Sequence, residues 1–349
     1  MNKLRIASCA CRYRFFFTAY KTSETIFTYA CFFSKFITTD FSEIPVIDFG
    51  RYLNGSKEEK VEVANQIGEA CRNVGFFYLK NHGVSEKLTE DVMTQMKRYF
   101  ALPLDVKMKC AVGDMSKGQV RGFLTYLRAE CPDIGDQKES FNFGLELSND
   151  DPDNKGKSFV HNGPNVWPDM EGKSMRRYYF VPLTDKPVAN MSVIYYPSQS
   201  LDKPLDKNRI GSLQHTDFGG FTLLQQSSDV VALQVQNIKN EWIDAKPIEG
   251  TFVVNIADTT QRWTNDQFIS TLHRVINVSD KERYSIGFFF GPNYFTRVDC
   301  LPTCYDDKTN PKKYEPVLSG EFVLHRLKTC HLTDNDDRDI GRLPGVPKK

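Results

Sequence analysis

Apolar positions along the chain follow two regimes. Between residues 57 and 73, Val61, Ala64, Ile67 and Cys71 recur at the spacing of one helix face, and Gly75 follows as a stop. Ser85 stands as an N-cap before a second stripe, Leu88, Val92, Met96 and Phe100, which ends before Pro103. Short apolar runs suited to strands flank these helices: Phe41 to Asp48 before the first, and Phe76-Phe77-Tyr78-Leu79 between the two, closed by Asn81-His82-Gly83. From about residue 190 the pattern changes to β-rich runs at 191–196, 221–226, 231–236, 251–256, 272–278 and 284–290. Turn chemistry at Pro197-Ser198, at Gly219-Gly220 and over 237–240 separates them. Many short strands so spaced predict a mainly β protein with flanking helices, a sandwich or jelly roll.

Composition supports a globular reading and narrows the partners. The 349 residues include 26 Phe and 15 Tyr, with 40% hydrophobic and 26% charged positions, enough for one large domain with a sizeable core. Lys and Arg number 45 against 44 Asp and Glu; a net charge of +1 gives no support to a nucleic-acid partner. No stretch reaches the ~20 apolar residues that cross a bilayer, so no membrane role is expected. Nine scattered cysteines, an odd number, read as free thiols in a reducing, cytoplasmic compartment. Cys300 and Cys304 are four apart but lack a second pair, so they are ordinary thiols rather than half a zinc site. The first 37 residues carry six basic side chains against Glu24 alone. They form an extension over residues 1–40, either poorly ordered or a transit peptide, which would make the destination mitochondrial.

Only six histidines occur, and two lie in the strand-rich half. His215-Thr216-Asp217 places an imidazole and a carboxylate two apart, which in extended backbone face the same side. His273 is the only other histidine between residues 190 and 320. Two imidazoles and one carboxylate on one face of an ion leave its opposite positions open for O₂ and a cosubstrate. Arg283 and Ser285 again share a side, on an aromatic strand, and a guanidinium buried there needs an anion from a ligand or from the protein.

These residues stand inside longer runs. They are Tyr195-Tyr196-Pro197, His215 through Leu224, Gly250 through Asp258, Arg262 through Asp266, Ser270 through Val275 and Glu282 through Ser285. With Ile44 through Asp48, Gly75 through Tyr78 and Asn81-His82-Gly83, they resemble the isopenicillin N synthase-like iron(II)/2-oxoglutarate-dependent dioxygenases over roughly residues 43–330. The resemblance implies a double-stranded β-helix core, with iron(II) held by His215, Asp217 and His273. It implies that Arg283, Ser285 and Tyr196 bind 2-oxoglutarate, and that His82 is structural. Iron, 2-oxoglutarate and O₂, with ascorbate as an accessory reductant, would then oxidise a small molecule and release succinate and CO₂. A monomer is expected. The N-terminal dioxygenase region would occupy residues 41–150, a connection 151–190, the catalytic core 191–300 and a C-terminal segment 301–349.

The segment from Arg121 to Glu130 corresponds to the strip that overhangs the pocket, where Arg121, Tyr126 and Arg128 are candidates to meet a polar substrate; a solvated loop is the plainer alternative. Two departures stand out. Ile194 replaces the asparagine that many members carry there. The long helix that family members place between Trp167 and Tyr196 is short by roughly 25–35 residues. Pro182 and Pro187 forbid rebuilding it from what remains. At ~25 cal/mol per Å² the apolar surface so exposed is worth several kcal/mol, which predicts an omitted exon, a faulty gene model or a weakened protein. Two other functions fit the same residues: an oxidase whose Arg283 and Ser285 hold the substrate's own carboxylate, and a crippled binding protein.

Overall fold

The structure, a computed structural model, describes residues 40–113, 120–125, 136–144, 165–168, 188–199, 210–227 and 229–331. Strand β1 (Val46–Asp48) leads through α1 (Gly50–Asn54) to α2 (Lys57–Asn73), whose capping box is closed by Ser56 and Glu59. Gly75 follows with φ +72°, a left-handed turn that starts β2 (Phe76–Lys80). Next come α3 (Glu86–Phe100), α4 (Leu104–Met108), β3 (Gly122–Thr125), β4 (Glu139–Gly144) and β5 (Val188–Tyr196). Ser85 occupies the N-cap of α3 as expected, but its side chain makes no capping hydrogen bond.

The strand-rich half supplies β6 (Ser212–His215), β7 (Phe221–Gln226), β8 (Leu233–Gln236), β9 (Trp242–Asp244) and β10 (Thr251–Ile256). After α5 (Asp258–Trp263) come β11 (His273–Val275), β12 (Arg283–Gly291), β13 (Arg297–Val298), β14 (Val317–Leu318) and α6 (Ser319–His331). An eight-stranded sheet runs β1-β2-β10-β7-β12-β5-β4-β3, and a four-stranded sheet runs β6-β11-β8-β9. The pairings are antiparallel except for β1 with β2.

Alternation along the strands assigns each side chain to a face. Between the sheets, Phe76, Tyr78, Tyr196 and Val253 of the large sheet meet Leu233, Val235 and Val275 of the small one. The opposite face of the large sheet is covered by helices. Val63, Ala64, Ile67 and Cys71 of α2 pack on Phe77, Leu79, Val254 and Ile256. Val92, Met96, Tyr99 and Phe100 of α3 pack on Phe123, Phe141, Phe143, Val193 and Ile286. This is the jelly-roll core with flanking helices that the periodicity predicts. Phe221, Phe288 and Phe290, at the far end of the helix-covered face, stay half-buried. Tyr126 and Arg128, and most of the 151–190 connection, lie outside the described residues.

Candidate metal and cosubstrate site

Strands β6 and β11 pair antiparallel with an irregularity between His273 and Val275, and His215 stands directly opposite His273, with ring centroids 4.3 Å apart. Asp217 lies just beyond the end of β6, on the turn through Gly219 and Gly220, rather than within the strand as the two-residue spacing implied. The turn is pinned against β12: Gly220 donates to the Phe290 carbonyl at 2.7 Å. A Cβ on Gly219 would stand 2.6 Å from that oxygen, closer than any side chain tolerates.

The polar atoms of these three residues divide by role. His215 Nδ1 lies 2.7 Å from the Leu213 carbonyl and His273 Nδ1 3.0 Å from that of Thr271. A carbonyl only accepts, so each Nδ1 donates to it and Nε2 is the nitrogen left to face the cluster. Both Nε2 atoms face Asp217 Oδ1, at 3.7 and 3.8 Å. The other carboxylate oxygen, Oδ2, accepts from Thr222 Oγ1 at 2.5 Å and from Asn255 Nδ2 at 2.9 Å. The three ligand atoms all lie within 4.8 Å of one another, close to the separations that metal–ligand bonds of ~2 Å require at one ion. Among the described residues this is the only cluster of three His, Cys or acidic side chains that could hold a metal.

Charge agrees with the geometry. Burial and the neighbouring imidazole push His215 down to about 4, so it is neutral and able to ligate at physiological pH. Burial raises Asp217, but the two imidazoles facing it and the bonds from Thr222 and Asn255 outweigh this and leave it below the usual carboxylate range.

Arg283 opens β12 on the inner face of the large sheet and is fully buried. Its Nη2 donates to Gln226 Oε1 at 2.9 Å, its Nη1 reaches Ser285 Oγ at 3.4 Å, and its guanidinium lies 4.8 Å over the Tyr196 ring. Its Nε has no partner, and no carboxylate pairs with it among the described residues. Burial accordingly pushes this guanidinium below its usual pKa. Among the described residues this buried cation has only neutral neighbours, and a dicarboxylate would supply a matching anion. The donor set at the metal cluster and this buried guanidinium, with its unpartnered Nε, therefore fit iron(II) and 2-oxoglutarate.

Strand register brings Arg121 to the same level as the cluster. Asn190 pairs with Phe289 and Gly144, Phe289 with Thr222, and Thr222 with Asn255. The buried Arg121 lies over Gly144, with Nη1 3.4 Å from Asn190 Oδ1. His82 is elsewhere, its ring tilted against that of Phe252 with centroids 4.2 Å apart. Cys300 and Cys304 are buried free thiols in the core beside α2.

Sequence reasoning did not single out Thr222, Asn255 and Gln226. The available signal was a polar side chain at an inward position of an aliphatic strand, as in Val253-Val254-Asn255-Ile256, since such a group must find a buried partner.

Known proteins share this architecture. A family model described as 2OG-Fe(II) oxygenase superfamily matches residues 187–292, and one described as non-haem dioxygenase in morphine synthesis N-terminal matches residues 44–170. The chain belongs to that superfamily. It is an iron(II)/2-oxoglutarate-dependent dioxygenase, an oxidoreductase that uses O₂ on a small molecule. The 2-oxoglutarate-Fe(II) type oxidoreductase hxnY of Emericella nidulans is 34% identical, over 82% of this chain and 90% of its own. A homoarginine-6-hydroxylase of Glycine max is 32% identical, over 84% of this chain and 98% of its own. A Neurospora crassa protein crystallised with 2-oxoglutarate and thymine superimposes with a TM-score of 0.71 at 27% identity, covering 85% of this chain and 100% of that one.

The alignment to the Emericella protein runs over 322 positions. Because 82% of 349 residues is about 286, about 36 of those positions fall against gaps in this chain. Residues 171–186 lie between the two family matches.

Proposed function

We propose that His215, Asp217 and His273 hold the iron, and that Arg283 and Ser285, with Tyr196 beside them, take the distal carboxylate of 2-oxoglutarate. The observation that carries this reading is the division of donor atoms. Two lone pairs and one carboxylate oxygen converge, while the remaining atoms of the same side chains are tied to the protein. Iron(II) so held supplies the activation of O₂ that couples oxidation of 2-oxoglutarate to succinate and CO₂ with oxidation of the substrate. The protein's part is orientation. Thr222 and Asn255 hold the Asp217 carboxylate, and the backbone carbonyls of Leu213 and Thr271 fix both imidazoles. Gln226 steadies the guanidinium, leaving its remaining N–H groups for a carboxylate.

Arg121, with Tyr126 and Arg128 from the strip that follows it, is the side on which a small polar substrate would enter. The level shared by Arg121, Asn190 and the cluster supports this, as do relatives that act on homoarginine or bind thymine. A monomer acting in the cytoplasm fits the near-neutral charge and free thiols. No helix among the described residues is long and apolar enough to cross a membrane. The 151–190 connection we read as shortened in this chain, consistent with the gapped alignment.

The experiment is a screen of polar amines, amides and nitrogen heterocycles for substrate-stimulated succinate release matched by O₂ uptake, with iron(II), 2-oxoglutarate and ascorbate present. The wild-type chain should give coupled turnover and His215→Ala none. Turnover retained by His215→Ala would remove the ligand assignment.

A further inference from the structure

Helix α6 reaches the metal-ligand turn through one buried side chain. Arg326, 4% exposed, follows Phe322 by one helical turn on the face that docks against the catalytic core. Its Nη2 lies 3.2 Å from Thr216 Oγ1 and 3.3 Å from Asp258 Oδ2, and its guanidinium stands 4.8 Å over the Phe218 ring. It thus touches the residues on either side of Asp217.

Asp258 is the other half of this arrangement. Its Oδ2 accepts from Thr216 Oγ1 at 3.3 Å, and its Oδ1 accepts at 2.7 Å from Ser270 Oγ, three residues before His273. Its own backbone N–H donates to the Asp217 carbonyl at 2.9 Å. One carboxylate on α5 therefore joins the turn bearing Asp217 to the segment that delivers His273, and Arg326 neutralises it from the C-terminal helix.

We propose that Arg326 is a positioning residue for the metal: with Asp258 it sets the spacing between the His215–Asp217 turn and His273, so that the C-terminal helix governs iron retention. This rests on the ligand assignment above. The pair is buried and joined to both ligand-bearing segments, so its loss would let those segments separate in the folded protein. Outer groups that orient ligands in this way carry 10- to 100-fold in metal affinity.

The test is an anaerobic iron(II) titration against a competing chelator on the full chain, with the melting temperature of the metal-free protein measured in parallel. Arg326→Gln should weaken iron(II) binding at least tenfold, and Arg326→Lys should recover part of it. Arg326→Gln leaves Asp258 buried without its cation and could unfold the chain. Thr216→Val, which removes only the hydroxyl that Arg326 and Asp258 share, therefore serves as the second variant and should also weaken binding. Cobalt(II) bound in place of iron should show shifted visible ligand-field bands in both variants, a change that mere loss of stability would not produce. Wild-type affinity and unshifted bands in either folded variant would overturn the proposal. His215→Ala separates the two claims. If it loses iron while Arg326→Gln and Thr216→Val keep it, the ligand assignment stands and the positioning role falls; if His215→Ala also keeps wild-type affinity, the ligand assignment itself falls.

Discussion

At the scale of single residues, the site depends on which atoms are already occupied. Asp217 has two carboxylate oxygens. Thr222 and Asn255 both bond to Oδ2, so Oδ1 alone faces the imidazoles. Removing one donor frees the carboxylate to rotate and leaves a buried lone pair unsatisfied. Asn255→Ala is therefore expected to weaken iron(II) binding by about 10- to 100-fold, read by the same chelator competition, while the fold survives. Gln226 plays a comparable part for Arg283, because it accepts from Nη2 and is itself held by the Ala245 carbonyl at 3.2 Å. These supporting residues look ordinary in the sequence. Thr222 and Gln226 bracket Leu223-Leu224-Gln225 in a run that reads simply as strand, and only the register shows what each one meets.

At the scale of elements, periodicity was most informative where one face is buried by a helix. The stripes of α2 and α3 both follow from spacing, because each must cover apolar strand residues such as Phe77 and Phe141. It was least informative on the small sheet. The 272–278 run yields only His273–Val275 as strand, because three backbone pairings suffice to deliver one ligand. Asp217 likewise falls outside β6, because the turn through Gly219 and Gly220 must clear the Phe290 carbonyl.

The turn after β2 carries a pH consequence. His82 Nδ1 accepts from the Val84 N–H at 3.2 Å, and burial holds its pKa below the ordinary 6.5. On unfolding it regains the ordinary value, so between the two pKa values the unfolded chain binds more protons. Stability contributed by neutral His82 is therefore complete above pH 6.5 and declines as pH falls below it. The melting temperature should drop on acidification through this range, and less steeply in His82→Gln; equal slopes would contradict the role given to His82.

For the whole molecule, the two sheets and their helices serve to bring together residues far apart in the chain. His215 and His273 are 58 positions apart, and Arg326 lies 110 residues beyond Thr216, which it touches. The residues proposed as ligands and anion anchor could be singled out in the sequence because chemistry restricts such roles to a few residue types. The supporting network could not, because it depends on contacts between sheet and helix that no local spacing encodes. The connection before β5, which we propose is shortened, falls mostly outside the described residues. Helices α2 and α3 cover the outer face of the large sheet.

The central claim is that one ferrous site and one buried guanidinium together bind 2-oxoglutarate. Anaerobic titration of 2-oxoglutarate into the iron(II)-loaded chain tests it most directly, through the weak visible charge-transfer band of the chelate. The account predicts a saturable band for the wild-type chain. Arg283→Gln, which loses a charge-assisted interaction worth ~2–3 kcal/mol, should need about 30- to 150-fold more 2-oxoglutarate to reach it. No band in the wild-type chain, or saturation of Arg283→Gln at the wild-type concentration, would contradict the account.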